Sequence, residues 1–351
     1  MKRTVTALCL LLGVGCLLWS CSRGCSPQDV RVVTVMTHDS FSMSEEVLAA
    51  FEKEQGIRVK FLKSGDAGAA LNLAVLSRDH PLADIFYGVD NTFISRALDA
   101  DIFIPYRSPL LASICPELVL DKTHRLLPVD YGDVCLNYDR AWFENRGVPV
   151  PRGLQDLVRP EYSGLLVVEN PATSSPGLAF LLATVAHFGE DGFVRYWKDL
   201  SRNDVLVVDG WEDAYWGRFS AASKGDRPLV VSYSTSPAVE VHYAERPVEQ
   251  APTGAIVEGG SAFRQIEFVG ILKGTRSLEL SQKVVDFLLD KQFQEGIPLQ
   301  MFMFPAHSRA ELPEVFARHA RLAEDPTDIR PEVISEHREK WIRAWTQAVL
   351  R

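Results

Sequence analysis

From residue 31 onward the chain alternates between short β-branched apolar runs and amphipathic stretches. RVVTVMT reads as a strand, and the loop HDSFSM leads to a helix that Ser44, Glu45 and Glu46 open and Gly56 stops. IRVKFLKS is a second strand. GDAGAALNLAVLSR is a glycine-eased turn into another helix, and ADIFYGV is a third strand running into Asp90 and Asn91. Strands and helices joined by short loops argue for parallel pairing in an α/β unit. LLVVEN, the helix after TSSPG, VLVVDG, a GWEDAYWGRF helix and LVVSYSTSP repeat that order in a second unit. EGGSAFRQIEFVGILKG is then extended, and SLELSQKVVDFLLDKQF returns to helix. The closing EHREKWIRAWTQAVL carries Trp341 and Trp345 four apart on one face, a stripe that packs on a domain. The pattern predicts two α/β lobes with a cleft between them, residues 30–130 with 266–351 forming one and 131–265 the other. VDYGDV and EFVGIL are the expected crossings, and hinged lobes of this kind close on a ligand.

Two stretches share one punctuation. LLVVENPATSSPGLAF and LVVSYSTSPAVEV each run from an apolar strand through Ser/Thr to Pro and into a helical pattern. The spacing places Ser175 and Ser236 as N-caps, with Pro176 and Pro237 as the first helical residues. Both hydroxyl clusters then lie at strand C-termini beside unpaired helix N–H donors, where open α/β sheets hold ligands.

The first 25 residues, MKRTVTALCLLLGVGCLLWSCSRGC, read as an export signal with a basic start and an apolar core. Leu18-Trp19-Ser20-Cys21 has the form of a lipobox, with Cys21 as the acylated residue, Cys16 as the competing acceptor and an uncleaved membrane anchor as the alternative. No other segment is long and apolar enough to span a bilayer. A net charge of −9 without a dense Lys/Arg cluster argues against a nucleic-acid surface and suits a cationic ligand. Cys25, Cys115 and Cys135 remain beyond the signal, an odd number that implies no disulfide framework. The eight histidines show no metal spacing, so no metal site is expected.

The loops at strand ends gather His38-Asp39-Ser40-Phe41, Ser64 to Gly68, Gly88 to Asn91, Thr173 to Ser175, Gly210 to Asp213 and Tyr233 to Ser236. They hold carboxylates, hydroxyls and aromatics, with no arginine and no lysine beyond the neighbouring Lys63. Anionic solutes normally meet Arg or Lys, whereas Asp, Trp and Tyr suit a cation with flat rings. A helix N-terminus still accommodates a phosphate tail. Each residue also has a structural alternative: Ser175 and Ser236 as plain caps, Asp66 as a turn residue, Trp211 and Tyr233 as core, and the MFMFP run as packing. Catalytic fingerprints are absent, Cys135 in GDVCLNYD being the one nucleophile candidate and buried strand cysteine its alternative.

Taken in order, HDSF, GVDN, VDYG, NPATSSPGL, GWEDAYW, LVVSYSTSPA, FMFP and WIRAWTQAV resemble the thiamine-binding proteins of bacterial thiamine ABC transporters, over nearly all of the mature chain. The resemblance implies a two-lobed, type II periplasmic-binding-protein fold and no chemistry. It implies capture of thiamine, thiamine monophosphate or thiamine diphosphate and delivery to an ABC permease, by a periplasmic, lipid-anchored monomer. It assigns Asp66 and Ala67 to a ligand-contacting loop, and Ser174 and Ser175 to a helix N-terminus on the ligand. Trp211 becomes a flat face, and Tyr233, Ser234, Thr235 and Ser236 a wall. His38 stands where the family commonly has tyrosine, Phe302 where tryptophan is expected, and Ala67 where a glycine is usual. Such changes alter affinity by about 1 kcal/mol each. Two rivals stand beside it: a binding protein for another cation, iron or a polyamine, and a thiaminase I-like enzyme using Cys135.

Overall fold

The computed structural model describes residues 31–327 and 329–350, so the export signal, Cys16, Cys21 and Cys25 lie outside the described residues. Among the described residues eleven strands join in one sheet. They are β1 Arg31–Thr37, β2 Ile57–Lys63, β3 Ile85–Asp90, β4 Phe103–Ile104, β5 Leu127–Asp139 and β6 Leu166–Glu169. β7 Leu206–Val208, β8 Leu229–Tyr233, β9 Thr253–Ile256, β10 Phe263–Leu272 and β11 Phe304–Pro305 complete it. The early helices are α1 Glu45–Gln55, α2 Ala67–Leu76, α3 Ile94–Asp99, α4 Arg140–Arg146, α5 Ser175–Arg202 and α6 Ser236–His242. The later ones are α7 Leu278–Leu289, α8 Lys291–Gln294, α9 Ile297–Gln300, α10 Glu314–His319 and α11 Pro331–Val349.

The strand order is β2-β1-β3-β10-β5-β8-β6-β7. β1 pairs in parallel with β2 and β3, and β6 in parallel with β7 and β8, matching the two repeated units. The long strands β5 and β10 run antiparallel between these units and pair with each other. They carry VDYGDV and EFVGIL, the expected crossings. Because β5 is flanked by β10 on one side and by β8 and β9 further along, one strand belongs to both halves of the sheet.

Local signals act where the sequence places them. Ser44 Oγ accepts the Val47 N–H at 3.4 Å, and Gly56 closes α1 in the left-handed region at φ 61°. The α11 stripe packs on α5: Trp345 meets Trp197 edge-on at 5.7 Å, and the Trp341 indole N–H donates to Glu190 Oε1 at 3.1 Å.

Two expectations need correction. α5 and α6 begin one residue early, so Ser174 and Thr235 are the N-caps, and Ser175 and Ser236 are the first helical residues ahead of Pro176 and Pro237. Proline suits the second helical position for the same reason as the first, since the opening N–H groups have no intrahelical partner. Neither cap side chain binds its own helix. GWEDAYWGRF, read as an ordinary helix, winds as a π-helical turn over Asp213–Arg218, a form often found at functional sites.

Candidate functional site

Asp66 ends the loop after β2 and caps α2, its Oδ1 accepting the Ala67 N–H at 2.7 Å. Its Oδ2 accepts the backbone N–H of Trp211, in the loop after β7, at 3.0 Å. A Cβ on Gly210 would lie 3.1 Å from that oxygen, so glycine permits the approach. The Ala69 N–H also reaches the Thr173 carbonyl at 3.2 Å. Loops of the two α/β units thus meet, and the cleft is closed along this side. Burial raises the Asp66 pKa, and the N–H groups of Trp211 and Ala67 hold it back.

Trp211 anchors an aromatic group. Its indole N–H donates to Ser232 Oγ at 2.9 Å, and its ring stacks on Tyr215 at 5.1 Å and 16°. Phe302 stands edge-on to Trp211 at 6.0 Å, and Tyr233 is tilted at 6.3 Å. Phe302 holds φ 61°, a left-handed conformation that costs a bulky residue about 1–3 kcal/mol and collects at ligand clamps. The Thr235 hydroxyl, donating to the Phe302 carbonyl, fixes it.

These groups border a narrow cleft between the two sets of loops. His38, Asp66, Ala67, Ser175, Trp211, Tyr233 and Phe302, all expected from the sequence, line it. Ser40, Pro176, Glu267, Met301 and Met303 complete the lining, which contains no lysine or arginine among the described residues. Ser174 is buried beside Ser175 at the start of α5, and neither hydroxyl has a hydrogen-bond partner. The remaining wall candidates do not line the cavity. Ser234 donates to the Arg321 carbonyl, Thr235 to Phe302, and Ser236 Oγ lies 3.1 Å from Ser232 Oγ, so their hydroxyls are spent on the fold.

Glu267 escaped the sequence reading. It lies inside an apolar strand and faces Asp90 of β3 and Asp130 of β5 in register, a row of three buried acids across adjacent strands. The signal was present as a lone glutamate in FRQIEFVGIL, but only strand pairing shows its neighbours. Burial lifts Asp90 to about 7, and burial with the Glu267 charge lifts Asp130 well above the carboxylate range. His38 faces Glu267 at 3.4 Å. Gly88 makes room for this ring: its φ is 103°, and a Cβ there would sit 2.5 Å from His38 Cδ2. Burial pulls the His38 pKa down, but the charge of Glu267, aided by Asp66 and Asp39, carries it above its ordinary value.

Cys135 does not reach the cavity. It is buried with Val257, Ala262 and Ala323, and Asn137 Nδ2 lies 3.8 Å from its sulfur. Burial, then the charges of Asp133 and Glu258, push the thiol well up, opposite to what a nucleophile needs. Among the described residues no cluster of three or more His, Cys, Asp or Glu is placed to hold a metal ion.

A family model described as bacterial extracellular solute-binding protein matches residues 80–323. The thiamine-binding periplasmic protein of Brucella suis is 30% identical over 325 residues, covering 91% of this chain and 92% of its own. That of Escherichia coli K12 is 29% identical over 324 residues, covering 91% and 94%. Among solved structures, a periplasmic thiamin binding protein superposes with a TM-score of 0.83 at 26% identity, covering 93% of this chain and 98% of its own. A periplasmic binding protein from Actinobacillus pleuropneumoniae with fructose-6-phosphate bound gives 0.78 at 20% identity, covering 92% and 99%, a likeness of fold alone. The fold is the two-lobed, type II periplasmic-binding-protein architecture. The chain belongs to the family of bacterial extracellular solute-binding proteins.

Proposed function

We propose that this solute-binding protein captures thiamine and hands it to an ABC importer in the membrane, performing no chemistry on it. The observation that carries the reading is the cavity itself. Trp211, Tyr233 and Phe302 offer flat apolar faces, Asp66 and Glu267 offer negative charge, and no lysine or arginine competes. A flat cationic ring gains stacking and cation–π attraction there, each worth roughly 0.5–2 kcal/mol. The unpartnered hydroxyls of Ser174 and Ser175, with the free N–H groups opening α5, suit the ligand's hydroxyl or phosphate end. The similarity to thiamine-binding periplasmic proteins over most of the chain supports the same ligand.

In this reading residues 30–130 with 266–351 move as one lobe and 131–265 as the other, parting at β5 and β10 to admit ligand. Cys21 carries the lipid that holds the protein at the periplasmic face of a membrane, which mass spectrometry of the processed N-terminus tests. Titration calorimetry with thiamine, its monophosphate and its diphosphate tests the binding function. One site per chain for at least one of them is expected. No heat and no thermal shift with all three rejects it.

A further inference from the structure

Which acid meets the ligand's positive charge is settled by how each carboxylate oxygen is already used, given the thiamine reading above. Asp66 spends one oxygen on the Ala67 N–H and the other on the Trp211 N–H, at 2.7 and 3.0 Å. It is a clasp between two loops. In the buried row, Asp90 Oδ1 takes the Thr92 hydroxyl and the N–H groups of Thr92 and Phe93, and Asp130 takes the Tyr87 hydroxyl. Neither lines the cavity. Their second oxygens, Asp90 Oδ2 and Asp130 Oδ1, also lack partners, so what sets Glu267 apart in this row is that it alone borders the cavity. Its Oε1 accepts from Gln265 Nε2 at 3.3 Å, while its Oε2, in a residue only 4% exposed, has no hydrogen-bond partner. A buried carboxylate oxygen left this way is costly unless a cation stands beside it. The group that stands there is His38, whose Nε2 lies 3.4 Å away and is itself unpartnered.

We propose that Glu267 is the counter-ion of the ligand's cationic ring, and that protonated His38 fills this role in the unliganded cleft, so that capture expels one proton from His38 to solvent. Two cations cannot share one buried carboxylate, because the second finds its Coulomb gain cancelled by the first. Binding and deprotonation are therefore linked, and each opposes the reverse of the other. The surroundings favour the imidazolium. Glu267 faces His38 from β10, Asp66 from the loop before α2, Glu212 from the loop after β7 and Asp39 from its own loop. The Tyr87 ring on β3 packs at 5.9 Å, Tyr233 shares the cavity wall, and Lys63 is held off on the Asp39 carbonyl at 2.7 Å. The upward pull on His38 agrees with this charge balance.

The test is calorimetry on the full chain between pH 6 and 8, in buffers of different ionisation heat. The ligands are thiamine and 3-deazathiamine, its isostere with an uncharged thiophene ring. Wild type is expected to release up to one proton on binding thiamine, with affinity rising by up to about tenfold per pH unit. His38→Gln is expected to abolish the release and to bind thiamine at pH 6 at least as tightly as wild type. Glu267→Gln is expected to lose about ten- to a hundredfold for thiamine and several-fold less for 3-deazathiamine, with near-UV circular dichroism verifying its fold. Unchanged thiamine affinity in Glu267→Gln, equal loss of both ligands, or a wild type that binds thiamine without proton release overturns the proposal alone. Failure of wild type to bind thiamine at all removes the parent reading with it.

Discussion

Replacing Trp211 separates the architecture of the cleft from its recognition of ligand. Trp211→Ala deletes the indole that donates to Ser232 and stacks on Tyr215, but leaves the backbone N–H that holds Asp66. The loop should therefore keep its place. Truncating a buried tryptophan costs about 3–5 kcal/mol of stability, and the lower end is expected because Trp211 borders open cavity on its ligand side. Trp211→Phe keeps a ring and loses the N–H bond. Ser232 Oγ still has Ser236 Oγ at 3.1 Å, so a cost of about 1 kcal/mol is expected. For binding, stacking and cation–π attraction together amount to about 1–3 kcal/mol, or roughly five- to a hundredfold in Kd. Urea denaturation gives the stability terms, and calorimetry with thiamine, at a temperature where near-UV circular dichroism shows each variant folded, gives the binding terms. A folded Trp211→Ala that binds within twofold of wild type refutes the stacking role. A Trp211→Phe as weak as Trp211→Ala refutes the ring and points to the indole N–H.

Three further outcomes are expected. Asp90, lifted to about 7 by burial, binds its proton more tightly folded than unfolded, where about 3.9 is usual. The stability it contributes is thus complete below about pH 4 and lost as pH rises through 7. Asp90→Asn should gain on wild type by up to a few kcal/mol between those limits in urea melts, and a constant difference across pH contradicts the assignment. Gly88→Ala should destabilise by about 2–4 kcal/mol, from its φ of 103° and the clash with His38. Adding His38→Ala should restore only the clash share, and a thermal melt in which Gly88→Ala alone matches wild type rules this out. Cys135 should react with a maleimide only as the protein unfolds, since burial keeps its thiol neutral; rapid labelling mapped to Cys135 by peptide mass in a native Cys115→Ser chain would reopen a nucleophilic role.

Much of this molecule was legible in the order of its residues. The periods of apolar and polar positions separated strands from helices, Ser44 and Gly56 marked a helix from end to end, and two similar units pointed to two lobes. The loop composition already pointed to a lining of aromatic rings and acids without Arg or Lys, which the cavity has, because residue type alone decides what a lining can offer. His38, Asp66, Trp211 and Tyr233 were named from loops far apart in sequence, and all border one cavity. Tertiary structure decided how each group is used. Asp66 looked like the charge partner, yet both its oxygens are committed to backbone N–H groups from separate loops. Ser234, Thr235 and Ser236 looked like a wall, yet their hydroxyls bind Arg321, Phe302 and Ser232. Glu267 looked like a strand residue, and pairing with β3 and β5 set it among buried acids opposite His38. The physical reason is common to all three. Propensity and periodicity are properties of neighbours along the chain, whereas desolvation and hydrogen-bond commitment depend on partners that only folding brings within reach.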